Sequence, residues 1–167
     1  MLILKMKIVI VDKDDKVIGL KEKGTLDFEK DFYRVSALWI KNSKGKSLLA
    51  QRAFTKKQDP GVWGPAVAGT IEEGETYDSN IIKETEEEIG LKNVKPEKAI
   101  KEFIDGKYKY FTQLYFIKLD KDSDEFKFDK KEVEKIGWFI FEEILELIEN
   151  KQTVTLSDKL LSYIKNK

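Results

Sequence analysis

GTIEEGETYDSNIIKETEEEIGL, Gly69 to Leu91, is the stretch on which the fold turns. Its second half reads as a helix from Thr76 to Ile89. Thr76 is placed to cap the first turn, Asp78 lies within that turn, and Gly90 ends it. On such a helix Glu84, Glu87 and Glu88 stand at i, i+3 and i+4 and share one face. Clustered carboxylates repel. At about 4 Å a like-charged pair costs about 1 kcal/mol in water and about 4 kcal/mol at an effective dielectric of about 20. The face is therefore either open to solvent or drawn together by a cation. A purely oxygen donor set suits Mg²⁺ or Mn²⁺.

Outward from this segment the chain alternates strands and helices without a regular βαβ rhythm. Lys7 to Val11 is rich in β-branched residues and reads as a strand, with Lys16 to Leu20 returning as a hairpin across the Asp12–Asp15 turn. Gly24 to Asp31 reads as loop. Arg34 to Lys41 is apolar on both faces, as a central strand requires. Ser47 to Ala53 returns from a turn at Asn42–Gly45. Tyr108 to Lys118 and Lys135 to Phe141 read as further strands, and Glu142–Asn150 and Ser157–Lys165 as closing helices. The expected architecture is α/β in the α+β sense: one domain over 1–167, a mixed sheet flanked by helices, with a hairpin extension at about 1–31.

Composition narrows the chemistry. The 167 residues hold no Cys and no His, which removes thiol nucleophiles, thiolate metal sites, Ser-His-Asp catalysis and imidazole acid–base work. The 31 Lys and Arg cancel the 31 Asp and Glu, so net charge gives no reason to expect nucleic acid or an anionic membrane. Lys5 and Lys7 interrupt the apolar blocks Met1–Leu4 and Ile8–Val11, which are too short to span a bilayer or to read as a secretory leader. A cytoplasmic protein is the expectation.

The spacing of the quoted stretch resembles the box of the Nudix family. Gly69, Glu75, Glu84, Glu87, Glu88, Gly90 and Leu91 fall on that pattern. Three positions depart from it: Lys83 stands for an arginine, Thr85 for the usual aliphatic residue, and Asn80 for a small one. Lys83 keeps the charge but not the two-pronged fork with which arginine would orient Glu75. Flanking segments agree. Leu48–Ala53 followed by Pro60–Trp63 resembles the strand and loop before the box, and Glu132–Trp138 the later loop with its acidic residue. The Asp12–Gly24 hairpin resembles the extension of the isopentenyl-diphosphate isomerase-like branch.

The resemblance implies a Nudix-type sandwich and water attack on a diphosphate phosphorus, in a nucleoside diphosphate derivative or a related small metabolite, with Mg²⁺ or Mn²⁺ bound. It implies Glu84, Glu87, Glu88 and the carbonyl of Gly69 or Ala68 as ligands, Glu87 and Glu132 as catalytic carboxylates, and Glu75 and Lys83 as their support. An exposed loop glutamate is the equal alternative for Glu132. Lys41 to Gln58 carries six basic residues and no acid. Arg52 is the one expected to meet substrate phosphates, and the lysines read as turn and surface charges. Trp39 and Trp63 read as core residues, with base stacking the alternative. Isomerase chemistry of that branch needs a Cys and a His-rich metal site, both absent. A non-catalytic nucleotide- or protein-binding module is the rival from another class. The expected partner is a small-molecule diphosphate, without nucleic acid or membrane. Monomer and homodimer stay open.

Overall fold

The computed structural model describes residues 5–167, so the apolar Met1–Leu4 block lies outside the described residues. Strands β1 (Lys7–Val11) and β2 (Val17–Glu22) form the expected hairpin. The centre is β3 (Phe32–Lys41), whose alternation feeds two opposite faces. Ala37 and Trp39 point into one core cluster, Leu38 and Ile40 into the other. A strand buried on both faces must be apolar at consecutive positions, which is why RVSALWIK shows no simple period of two.

One edge of β3 pairs with β8 (Lys109–Lys118), in parallel, from Tyr33↔Tyr110 to Lys41↔Lys118. Its other edge is shared by three antiparallel strands: β1, then β6 (Val67–Thr70), then the start of β4 (Ser47–Arg52). After Ile40↔Leu48 the sheet splits. Here β4 leaves β3 and takes β5 (Trp63–Pro65) on one edge and β9 (Val133–Phe139) on the other. The chain crosses between the two branches at fully buried Ala66. Outermost beyond β8 lies β7 (Glu97–Asp105).

Helix α1 (Tyr77–Ile89) covers the face holding Leu38, Val67 and Tyr115 with its own Ile81 and Ile89. The other face is covered by α2 (Phe141–Glu149) and α3 (Asp158–Lys165), through Ile144, Leu160 and Ile164. Buried Trp39 lies in that layer and donates from Nε1 to Ser47 Oγ at 2.9 Å. At the hairpin tip, Asp15 accepts from Arg34 Nε at 2.6 Å and from Lys101, tying the extension to the sheet.

Three expectations move by two residues; the first is β3, which starts at Phe32 rather than Arg34 because Phe32 pairs with Val11. The last strand starts at Val133 and ends at Phe139, and Phe141 opens α2 with its ring against the core cluster. The hairpin return reaches Glu22 because Lys7↔Glu22 extends the ladder. No helix of the described residues is long and apolar enough to cross a membrane.

Candidate active site

Helix α1 starts as its sequence demands. Thr76 Oγ1 accepts from Ser79 N at 3.1 Å, and Ser79 Oγ accepts from Thr76 N at 2.9 Å. Gly90 ends it at φ 70°, where a Cβ would lie 2.8 Å from the Lys127 carbonyl oxygen. These caps set the phase of the helix, and the phase turns Glu84 and Glu88 toward β6.

The contact is close. A Cβ on Gly69 would sit 2.3 Å from Glu84 Cγ and 2.8 Å from Asn80 Oδ1, so only glycine lets helix and strand meet here. Glu88 lies one turn on, with Oε2 3.4 Å from Ala68 N. Burial, opposed by Lys83 and reinforced by Glu87, raises the Glu84 carboxyl above its ordinary range. Burial, then the charge of Glu84, push the Glu88 carboxyl up to about 8, against the Ala68 N–H and Lys56. Glu87 is exposed on the outer side of the same face. Among the described residues no three acidic side chains already stand in metal-holding geometry.

The donor chemistry nevertheless fits a hard divalent cation. The donors are carboxylate and carbonyl oxygens, packed on a glycine, with charge that is costly uncompensated. Glu84 and Glu88 lie against Ala68–Gly69, and Glu87 is exposed.

The supporting pair also meets. Lys83 bonds Glu75 Oε1 and stands 3.5 Å from Glu84 and 3.7 Å from Glu72. Burial would depress the Lys83 ammonium, but the three carboxylates hold it above its ordinary value. Burial opposes ionisation of Glu75, yet Lys83, the Glu72 N–H and Asn80 together hold its carboxyl low. Thr85, fully buried, spends its hydroxyl on the Ile81 carbonyl at 2.6 Å. The departures from the usual pattern are thus satisfied within the fold.

Glu132 sits in the loop before β9 and is bonded by Lys56 of the β4–β5 loop; its charge reaches Glu88. Lys56 therefore departs from the expectation of a plain surface lysine. So does Lys41, which is buried and donates to the Ile164 carbonyl at 2.8 Å at the end of α3. Both pairings join residues distant in sequence, which local patterns do not reveal. Arg52 spends Nε and Nη2 on the carbonyls of Gln58 and Asp59, between 2.7 and 3.1 Å, and so folds the β4–β5 loop. Trp63 packs edge-on against Phe139 with Lys135 over its ring. Asn80, noted in the sequence only as a departure, is fully buried and bonded to three partners.

Comparisons with known proteins bear on the fold and the family. The chain is 28% identical over 85 residues to an isopentenyl-diphosphate Delta-isomerase of Klebsiella pneumoniae, a match covering 50% of this chain and 46% of that enzyme. The chain thus matches about half the length of that relative. A solved protein from Deinococcus radiodurans superposes with a TM-score of 0.76 at 19% identity, covering 96% of this chain and 98% of that one. An Ap4A hydrolase from C. elegans superposes at 0.59 with 17% identity, covering 80% and 93%. The family profile described as NUDIX domain matches residues 31–160, most of the sequence, and the chain belongs to the Nudix family.

Proposed function

We propose that this protein hydrolyses a diphosphate linkage in a nucleoside diphosphate derivative or a related small phosphorylated metabolite, with Mg²⁺ or Mn²⁺ bound. The observation that carries the reading is the stacking of Glu84 and Glu88 on Ala68–Gly69, both carboxyls raised above their ordinary range. Packed acids of this kind are stable as anions only beside a cation.

Glu84, Glu88, Glu87 and the Gly69 carbonyl are the residues that would hold the ion, which when bound neutralises phosphate oxygens and lowers the pKa of water. Glu132, half-exposed and in reach of Lys56, is the carboxylate we assign to accept the proton of the attacking water, with Glu87 the alternative on the helix. Lys56 pairs with Glu132 and directs its carboxylate. Arg52 shapes the loop above, and contact with substrate phosphates is proposed for whatever donors its loop carbonyls leave free. Lys83 and Glu75 hold the Glu84 side of the site.

The rival reading is a binding module without turnover, and the departures at Lys83 and Thr85 are what would favour it. Neither residue disturbs the site: one is paired and the other satisfied. Isomerase activity, the chemistry named for the Klebsiella relative, is not proposed here, because the chain lacks the Cys and His that chemistry uses.

The test is a panel of nucleoside triphosphates, dinucleoside polyphosphates, sugar nucleotides and coenzyme derivatives, screened with Mg²⁺ and with Mn²⁺. A phosphomonoester product and complete dependence on the ion are expected. Turnover at full rate in excess chelator would overturn the proposal.

A further inference from the structure

Glu75 is held at its two oxygens by different donors. Oε1 meets the Lys83 ammonium. Oε2 accepts from Glu72 N at 3.0 Å and from Asn80 Nδ2 at 2.8 Å. A lysine is a point donor and does not fork across both oxygens of a carboxylate, so the second oxygen is left to the Glu72 N–H and to a side-chain donor from elsewhere. Asn80 supplies it from a fully buried position.

The orientation of that amide is dictated. Ser36 Oγ donates to Asn80 Oδ1 at 2.5 Å, while Nδ2 also reaches the Thr70 carbonyl at 3.2 Å. Turned over, the amide would set its oxygen against a carboxylate and a carbonyl at once. One side chain therefore joins β3, β6 and the loop before α1. It also stands beside Glu84, one turn earlier on the helix, and both press on Gly69. Lys83 completes the chain of contacts, since its Nζ lies 3.5 Å from Glu84 Oε1.

We infer that Asn80 is a positioning residue. With Lys83 it clamps Glu75 at both oxygens, as a single forked cation would, and through Glu75 and Lys83 it fixes Glu84 for the divalent ion. The inference rests on the metal reading above. It predicts an interdependence: an arginine at 83 would cover both oxygens of Glu75 and make the Asn80 donor redundant.

The test is a double-mutant cycle of Asn80→Ala and Lys83→Arg, read in two ways. The first is Mn²⁺ affinity, from the spectroscopic signal of free Mn²⁺ in titrations of each protein. Asn80→Ala should weaken binding about tenfold or more, as losses behind a metal ligand do. In the Lys83→Arg background the same change should cost less than about threefold. A role in packing alone would lower affinity equally in both backgrounds, and that result, or no loss at all, overturns the inference.

The second reading is the melting temperature without metal, which reports the clamp on Glu75 by itself. The loss on Asn80→Ala should be smaller by about 2 °C or more in the arginine background. If wild type binds no Mn²⁺ while this coupling is present, the clamp stands and the metal reading falls. If Asn80→Ala does not fold, Asn80→Asp replaces it. That variant keeps the shape but sets a second anion against Glu75, and it should lose Mn²⁺ affinity by at least as much; unchanged affinity overturns the inference.

Discussion

At the scale of single residues, Glu88 is the sharpest test of the site. Burial and Glu84 raise its carboxyl from an ordinary 4.5 to about 8 in the metal-free protein. A folded-state value above the unfolded one means that the folded protein holds the proton more tightly. The resulting stabilisation is complete below about pH 4.5 and is lost as pH rises through about 8. The metal-free melting temperature should therefore fall across that window, and Glu88→Gln, which mimics the protonated acid, should flatten the fall. The variant should be at least as stable as wild type without metal. Added Mg²⁺ should raise the wild-type melting temperature, more so toward pH 8, and the variant's much less. Turnover should drop by an order of magnitude or more. Wild-type turnover in Glu88→Gln, or a loss traced to unfolding of the metal-free variant, would remove Glu88 from the site.

At the scale of elements, the seam between β6 and α1 decides whether the carboxylates stand where they must. No Cβ fits at Gly69, because Glu84 Cγ and Asn80 Oδ1 occupy the space. Gly69→Ala must either lift the helix or swing Glu84 aside. Overpacking of this kind costs about 1–3 kcal/mol. The larger effect should be functional: Mg²⁺ should no longer raise the melting temperature, although the variant remains folded in circular dichroism. A Gly69→Ala protein that keeps the full Mg²⁺ response would show that the seam does not support the ion. This seam was half legible in the sequence. The helix, its caps and its acidic face depend on spacing and on neighbours within one turn, so Thr76, Gly90 and the glutamates disclose them. The strand does not disclose itself. β6 is four residues containing a glycine, β5 three, and both exist because β3 and β4 offer them an edge. β7 hides for another reason: a bulge between Lys98 and Ile100 breaks its alternation in a highly charged run.

At the scale of the whole molecule, the chain shares a fold with a solved hydrolase and, over half its length, 28% identity with an isomerase, and its composition separates the two chemistries. With no Cys or His anywhere, it should not form dimethylallyl diphosphate from isopentenyl diphosphate above the buffer control, at any metal concentration. Product formation well above that control, followed by chromatography, would reverse this assignment. The sequence by itself determined the family, the carboxylate face, the mixed sheet flanked by helices and the excluded chemistries. Each of these is written in local spacing or in residue types that are present or absent. Only the tertiary structure decided which groups meet. Lys56 reaches Glu132, Lys41 reaches the end of α3, Ser36 reaches Asn80, and Arg52 turns to its own loop. Except for Arg52, these partners lie 44 to 123 residues apart. No periodicity carries such pairs. They follow from where the split sheet brings its loops, and from the cost of leaving a buried charge or amide without a partner.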